Sequence, residues 1–304
     1  KEDVGIIHQK TFRIGPQITV GMIPTLRNRD LDALSREFGT VIIDEAHHVP
    51  STSFLKVVNQ FYSKHLYGLT ATAFRRDKLE NIMFNAIGPK IYEIEHAVLF
   101  EDEHLMIPTI VRRFTGWCPT NSHLLEFNDF MEAMVSAESR NRMIVEDVLR
   151  ESVPGNVSIV LVERTKHAEV LNALLKERGL LSDFVVGSVD LESLPGKAKR
   201  KKAIPKKVRD KIIEDFKSGR LQVLVATYDL LMEGFNYRPL NRLFLATPIK
   251  YKGSVIQALG RIQRTSPGKS DALAYDYVDD GIAMFFRQAE HRAHTVYSKM
   301  NMPI

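Results

Sequence analysis

Short apolar runs alternate with amphipathic stretches along most of the chain, and each run ends in polar residues. In the first third, four such runs predict strands, because they are short and rich in β-branched residues. They are 4–8, 18–23, 40–43 and 67–72. The stretches between and after them predict three helices, 24–37, 51–61 and 77–87. Strands that alternate with helices predict a parallel α/β sheet.

After about residue 90 the alternation weakens, and it then restarts. The segment 91–115 mixes acids with Pro108, so we place a domain boundary there, near residue 100. The predicted strands beyond it are 157–162, 184–186, 222–227, 242–246 and 272–278. The predicted helices are 128–150, one ending at 178, 208–217, 254–264 and a closing helix. The prediction is therefore an α/β fold with two domains, 1–100 and 101–304.

Composition agrees with two domains and changes the picture little. A chain of 304 residues can bury two cores, and 44% hydrophobic with 26% charged residues is ordinary for a soluble protein. No apolar run approaches the ~18 residues of a membrane span, so we expect a cytoplasmic protein with no membrane partner. The single cysteine, Cys118, excludes an internal disulfide and a cysteine-cluster zinc site. A net charge of +5 permits a polyanionic partner without requiring one.

Two carboxylates, Asp44 and Glu45, directly follow the apolar run 40–43. The carboxyl end of a parallel strand is where open α/β sheets bind ligands, and a carboxylate there suits Mg²⁺ beside a phosphate. A continuous apolar run also predicts that the strand is covered on both faces. Taken alone, the same run fits an ordinary buried strand that ends in a solvated acidic turn.

Three further polar signatures fall at predicted strand ends or on a predicted helix. They are Thr70-Ala71-Thr72, then Val225-Ala226-Thr227 with Glu233-Gly234-Phe235-Asn236, and then Gln257-Ala258-Leu259-Gly260-Arg261-Ile262-Gln263-Arg264. With Asp44-Glu45-Ala46-His47 before them, they resemble motifs II, III, V and VI of DEAD/DEAH-type superfamily 2 helicases, in the family's order. Residues 48–50 and 69–77 are most similar to the type III restriction Res subunit and related repair helicases. The resemblance implies two RecA-like parallel-sheet domains in tandem.

The resemblance also implies hydrolysis of Mg²⁺-bound ATP, in which the protein mainly positions groups and neutralises charge. Asp44, with Glu45, would hold Mg²⁺ and position the attacking water. His47 would couple the nucleotide site to the second domain, and Thr70 and Thr72 would link that site to the nucleic-acid track.

In the second domain, the resemblance implies that Gln257, Arg261 and Arg264 are catalytic, and that Gly234 and Asn236 contact the nucleotide. The two arginines are three apart on a predicted helix, so their guanidinium groups are expected to share one face and reach one γ-phosphate. Nucleotide would then close a cleft between the domains, and hydrolysis would reopen it. A surface arginine pair on an amphipathic helix is the alternative. Asn236 stands where the family more often has Asp, and an amide supplies no negative charge.

For nucleic acid, the resemblance implies contacts from Thr25, Arg164 and Thr227. Contacts to phosphate carry no sequence information, so we expect sequence-independent binding, with DNA favoured over RNA. Each threonine could equally cap a helix. The stretch 196–211 holds nine basic residues and one acid, which predicts a charged loop that is either a phosphate patch or a solvated insertion.

Two other patterns suggest sites that we reject. Gly268-Lys269-Ser270 resembles the tail of a phosphate-binding loop, but position 263 is Gln where the first glycine belongs. It also follows a predicted helix and precedes a strand, the reverse of the required order. His47 and His48 lie beside the two acids, yet adjacent side chains at a strand exit are expected to point apart, and the sequence offers no third metal ligand.

None of the 17 glycines forms the phosphate-binding pattern GxxxxGK[ST]. We therefore expect the first strand, phosphate loop and first helix to precede residue 1, which would leave the first domain incomplete and this chain almost inactive as an ATPase. Two alternatives stay open: a nucleic-acid-binding module without catalysis, and the motor part of a restriction or nuclease subunit. The sequence does not indicate an oligomeric state.

Overall fold

The chain forms two compact units, Lys1–Glu93 and Ile94–Ile304, hereafter unit 1 and unit 2. The computed structural model describes residues 3–70, 80–94, 105–186, 204–232, 235–249 and 252–304. Within those ranges, no helix combines the length and the apolar character that a membrane crossing requires.

Unit 1 contains two small sheets. The first has the order β2-β1-β3, in which β1 pairs antiparallel with β2 and parallel with β3. The second is the parallel pair β4-β5. The strands are β1 Val4–His8, β2 Thr11–Arg13, β3 Ile18–Gly21, β4 Thr40–Ile43 and β5 His65–Gly68. The helices are α1 Ile23–Leu26, α2 Thr52–Val58 and α3 Glu80–Ile87.

Strand β4, which leads to the two carboxylates, is covered on one face. Ile43 is buried in a cluster with Val58 of α2 and Met83 of α3. Ile42 points to the other face, where it is 61% exposed, and its partner Tyr67 on β5 is 42% exposed. The prediction that β4 is covered on both faces is therefore wrong for the described residues, because α2 and α3 pack on the same side.

The helix predicted over 24–37 is also wrong as a single element. Helix α1 ends at Leu26, and a separate 3-10 turn covers Leu34–Arg36. Between them, Asp30 accepts the backbone N–H of Asp32 through its side chain (3.1 Å). Such a local bond competes with helix formation. The break lets Leu31 and Leu34 be buried with Ile7 of β1.

Unit 2 contains a six-stranded parallel sheet with the order β6-β11-β10-β7-β9-β8. The strands are β6 Thr109–Phe114, β7 Ser158–Val162, β8 Ser182–Val185, β9 Val223–Thr227, β10 Arg242–Leu245 and β11 Leu273–Val278. All residues of β7, β9 and β10 are buried, as their mostly apolar sequences predict.

Helices cover both faces of this sheet and make a three-layer unit. They are α4 Phe127–Val135, α5 Glu138–Glu151, α6 Thr165–Glu177, α7 Lys206–Lys217, α8 Tyr228–Met232, α9 Lys252–Ile262 and α10 Ala283–Arg292. One apolar core joins α7, α8 and α9 to one face, and another joins α5 and α6 to the opposite face. This arrangement confirms the predicted α/β class with a parallel sheet.

Two elements of unit 2 differ from the prediction. Strand β6 lies at 109–114, in the segment where periodicity is weak, and it pairs with β11 along its whole length. The predicted helix 128–150 is two helices, since Ala137 has a non-helical ψ of 87°. The side chain of Asn141 donates to the carbonyl of Val135 (2.9 Å) and so closes the end of α4.

Candidate functional site

Asp44 and Glu45 form an exposed turn at the carboxyl end of β4. The backbone N–H of Glu45 donates to Asp44 Oδ1 (2.9 Å), which orients that carboxylate. Glu45 has a φ of 50° and a ψ of 47°, a left-handed conformation that is uncommon for a residue with a side chain. Outliers of this kind cluster at functional sites, so the turn is the first part of the candidate site.

His47 connects this turn to the end of β5. Its Nδ1 lies 3.0 Å from Thr70 Oγ1 and 3.2 Å from Glu45 Oε2. The backbones are also joined, because Ala46 N–H donates to the carbonyl of Leu69 (2.8 Å). The two signatures that are 23 residues apart in the sequence therefore meet through a shared hydrogen-bond network.

Gly68, the last residue of β5, makes this close approach feasible. A Cβ built on Gly68 would lie 2.9 Å from Ala46 Cβ and 2.9 Å from Ile87 Cδ1, closer than such atoms approach in proteins. A glycine at this position therefore lets β5 and the acidic turn pack at backbone distance.

The two histidines beside the acids do not point apart. They lie on a 3-10 turn, Ala46–His48, and their ring centroids are 4.2 Å apart. The prediction that their side chains point apart is wrong, because β4 has already ended at Ile43. Within the described ranges, no group of three or more His, Cys, Asp or Glu side chains is arranged to hold a metal ion.

The acidic turn nevertheless fits Mg²⁺ bound together with a nucleotide. Mg²⁺ prefers oxygen ligands and is usually held by one or two carboxylates, waters and substrate phosphates, not by a cage of protein side chains. Asp44 supplies such an oxygen from an exposed position at a strand end, and Glu45 lies next to it.

In unit 2, Arg261 lies in the last turn of α9. Its Nη2 donates to the carbonyl of Leu231 in α8 (2.6 Å). The guanidinium group is half-buried and held against the helix that follows β9. The structure thus joins two signatures, 225–236 and 257–264, through this contact.

Arg264 occupies a different setting from the predicted one. Helix α9 ends at Ile262, and Arg264 forms an antiparallel bridge with Leu105. The expectation that Arg261 and Arg264 share one helix face is therefore wrong. Gln263 and Arg264 leave the helix because the carbonyl of Gln263 accepts the N–H of Met106 (2.6 Å). Arg264 Nη1 instead donates to the side-chain oxygen of Asn236.

Three other predicted site residues give less information. Gln257 lies on α9, and its Oε1 is buried and has no hydrogen-bond partner among the residues that the structure describes. Thr72 and Gly234 lie outside the described residues.

The three predicted nucleic-acid contacts have distinct environments. Thr25 Oγ1 accepts the backbone N–H of Gln9 (3.0 Å), a contact across the unit and not a helix cap. Arg164 is the N-cap residue of α6 and donates from Nη2 to the side chain of Asn128 (2.9 Å). Thr227, at the end of β9, is only 6% exposed. Of the three, Thr25 and Arg164 are half-buried and Thr227 is buried.

The basic stretch 196–211 is partly helical. Residues 196–203 lie outside the described residues, whereas Lys206 already begins α7. The amphipathic face of this helix buries Ile212 and Phe216, so the basic residues of its first turns belong to a packed helix and not to a loop.

Sequence reasoning missed Thr247, which joins three strand ends in unit 2. Its Oγ1 accepts the N–H of Glu163 after β7 (2.8 Å), and its carbonyl accepts the hydroxyl of Tyr228 after β9 (3.0 Å). Thr247 itself follows β10 and is 2% exposed. The sequence signal that could have identified Thr247 is its position, a threonine directly after the apolar run that forms β10.

Comparison with known proteins agrees with these signatures. Residues 1–75 match the family model of the type III restriction enzyme, res subunit, and residues 140–266 match that of the helicase conserved C-terminal domain. The probable helicase D10 of Escherichia phage T5 is 25% identical over 292 residues, which cover 95% of this chain and 59% of that protein. The XPB/SSL2 helicase/translocase subunit of Saccharomyces cerevisiae is 32% identical over 135 residues, 42% of this chain and 15% of that protein.

Solved structures show the same fold. A fragment of a putative HsdR subunit of a type I restriction enzyme from Vibrio vulnificus has a TM-score of 0.62 at 17% identity, covering 94% of this chain and 52% of that chain. S. cerevisiae Dbp5 bound to RNA and ADP BeF3 has a TM-score of 0.56 at 15% identity, covering 97% of this chain and 68% of that chain. The fold is thus that of tandem RecA-like helicase domains.

The two family-model matches and the helicase relatives together support a superfamily 2 helicase of the type III Res-like kind. The chain spans about half the length of the curated relatives it matches over most of its residues.

Proposed function

We propose that this chain is the motor part of an ATP-dependent helicase or translocase that hydrolyses Mg²⁺-bound ATP and moves along nucleic acid. The observation that carries the proposal is the contact of His47 with Thr70 and Glu45, next to Asp44. A network that joins the acids to the end of the neighbouring strand lets a change at a nucleotide reach a second surface of the same unit.

Each predicted residue has a defined role in this proposal. Asp44, assisted by Glu45, would hold Mg²⁺, which when bound neutralises charge on the β- and γ-phosphates. Glu45 orients the attacking water and accepts its proton. Arg261 and Arg264 supply positive charge to the γ-phosphate, and Gln257, Gly234 and Asn236 line the nucleotide. His47, Thr70 and Thr72 transmit the state of the nucleotide.

Nucleic acid would be held through its phosphates by Arg164, Thr25 and Thr227. Because hydroxyl and guanidinium groups recognise phosphate regardless of the base, binding should be sequence-independent. We propose DNA over RNA as the track. Thr227 requires a local opening of its surroundings, since it is 6% exposed.

The 304-residue chain, purified by itself, should release phosphate from ATP at the background rate, even with Mg²⁺ and single-stranded DNA. It contains no GxxxxGK[ST] sequence, so the backbone N–H cradle and the lysine that bind the β- and γ-phosphates are missing from it. A phosphate-release assay measures this, with the Asp44→Asn variant as the reference for background. Turnover that Asp44→Asn abolishes would contradict this prediction and would still support the assigned role of Asp44.

Binding of this chain to a single-stranded oligonucleotide should weaken steeply with salt. Phosphate contacts release counterions, so we expect the affinity to fall about 2.6-fold for each neutralised phosphate between about 50 and 200 mM salt. Fluorescence anisotropy measures the affinity, and Arg164→Ala should make the salt dependence shallower by about 0.7 in the log-log slope. Arg178→Ala, at an arginine paired with Glu146, is the matched control. An affinity that stays flat over this range would count against phosphate binding.

The absence of GxxxxGK[ST] also fits a second candidate, a nucleic-acid-binding module that never hydrolyses ATP. Phosphate release by the full-length gene product in the presence of single-stranded DNA separates the two. Turnover that depends on Asp44 supports the motor, whereas DNA binding without turnover supports the module. A third candidate, the motor of a restriction or nuclease subunit, requires in addition that the full-length gene product cleaves DNA, which a separate cleavage assay measures.

A further inference from the structure

The ammonium group of Lys269 binds three backbone carbonyls in unit 2. Its Nζ donates to Leu240 (2.7 Å), to Arg264 (2.9 Å) and to Ile262. Leu240 precedes β10, and Ile262 is the last residue of α9. Lys269 belongs to the Gly268-Lys269-Ser270 pattern that was rejected as a phosphate-binding loop, so the structure gives this lysine another role.

The turn that carries Lys269 is built to deliver it. Gly268 has a φ of 80°, which an L side chain rarely adopts, and the backbone N–H of Lys269 donates to the carbonyl of Ser266 (3.1 Å). A positive charge at the carboxyl end of α9 also complements the helix dipole. Three carbonyls require three donors, and among lysine's two protonation states only the ammonium form has three N–H groups.

These contacts fix the backbone of Arg264. Because α9 has ended at Ile262, the helix does not orient Arg264. The backbone of Arg264 is instead held by the bridge to Leu105 and by the hydrogen bond from Lys269 Nζ to the Arg264 carbonyl. Its side chain then reaches Asn236.

We propose that Lys269 is a positioning residue for Arg264, whose guanidinium direction is set by a lysine-capped turn and not by the helix. The inference deepens the proposed function and rests on it, since it concerns an arginine assigned to the γ-phosphate. The role belongs to the ammonium form of Lys269, because a neutral amine would leave one of the three carbonyls without a donor.

Burial brings the change of protonation of Lys269 to the range around pH 8. Burial lowers the pKa of Lys269 to about 8; the positive charge of Arg242 acts in the same direction, and Asp271 opposes it. Below pH 8 the three bonds are present, and above pH 8 one is lost. The NMR signal of the Arg264 guanidinium should therefore change as Lys269 titrates, although the guanidinium itself stays protonated.

The test is a carbon-detected NMR titration of the Arg264 Nε–Cζ correlation in the chain labelled on arginine, from about pH 6.5 to 9.5. The signal that disappears in the Arg264→Lys variant is assigned to Arg264. We expect an inflection near pH 8 in the wild type and none at Arg178. In Lys269→Met and in Lys269→Arg the signal should show no inflection over this range, because neither side chain titrates there.

Two results would overturn the inference: a wild-type signal without an inflection, or an inflection that survives in Lys269→Arg. If Lys269→Met does not fold, the wild type and Lys269→Arg still decide. The measurement uses no ATP, so a failure of this inference can be told apart from a failure of the proposed function. If the Arg264 signal shows the inflection but the full-length gene product never hydrolyses ATP, the proposed motor function is disproved. The positioning role of Lys269 would still stand.

Discussion

Replacement of Arg261 by alanine should lower ATP turnover of the full-length gene product by about 10³ to 10⁵, the range that arginine fingers contribute in GTPases. The measurement is steady-state phosphate release with saturating single-stranded DNA. Such a loss in kcat, with the KM for ATP changed little, would show that the guanidinium acts mainly in the transition state.

The structural reason is the position of Arg261 in the last turn of α9. Its Nη2 donates to the carbonyl of Leu231, so the side chain is already oriented by α8. A planar guanidinium can keep that bond and still offer its remaining N–H groups to a phosphate. Lysine has no such fork, so Arg261→Lys should restore little of the lost turnover.

Arg178→Ala is the control for this experiment. Arg178 lies in the same unit, and its partner is the exposed Glu146, so its loss should leave turnover unchanged. Equal turnover in the Arg261→Ala variant and the wild type would remove the assignment of Arg261 as a finger. It would leave the assignment of Asp44 to be judged by its own variant.

Replacement of Arg140 by methionine should lower the free energy of unfolding of unit 2 by about 3 to 5 kcal/mol. Arg140 and Asp279 have fully buried side chains, joined by bonds of 2.7 Å (Nε to Oδ1) and 3.1 Å (Nη2 to Oδ2). Thr115 also donates to Asp279 Oδ1 (2.8 Å). Methionine fills much of the volume but leaves the carboxylate of Asp279 buried without its counter-charge.

Urea unfolding followed by tryptophan fluorescence measures this change. The only tryptophan of the sequence, Trp117, is 9% exposed in a cluster with Phe130 and Phe285, so it reports on unit 2. Arg142→Met, two residues away on the same helix, is the matched control. Arg142 pairs with Glu138 on the surface, at 67% and 84% exposure, and should cost about 0.5 kcal/mol or less. A loss of similar size in both variants would disprove the special role of the buried pair.

The central strands of the sheet in unit 2 could be predicted because each one is a short, mostly apolar run in the sequence. A parallel strand covered on both faces is mostly apolar, and β7, β9 and β10 are apolar except for one terminal residue each, Ser158, Thr227 and Arg242. Strand β6 could not be found in this way. It carries Arg112 and Arg113, whose charges are balanced by Glu290 and Asp147, far away in the sequence. A strand at the edge of a sheet tolerates charged residues, and the pattern of apolar residues then no longer identifies the strand.

The site shows the same division. The order of the polar signatures and their places at strand ends were predicted from the sequence, and the resemblance to superfamily 2 helicases rested on them. The end of α9 was not predicted, because it depends on hydrogen bonds from residues outside the helix. Met106 donates to the carbonyl of Gln263, and Lys269 donates to the carbonyls of Ile262 and Arg264. A helix boundary set by partners outside the helix has no signal within the helix.

The sequence by itself determined the resemblance to superfamily 2 helicases and the α/β class, since each depends on local patterns or on motif order. The tertiary structure alone decided that His47 meets Thr70, that Arg264 meets Asn236, and that Lys269 caps the turn between them. These contacts join residues that are distant in the chain, and only the packing of strands and helices brings such residues together.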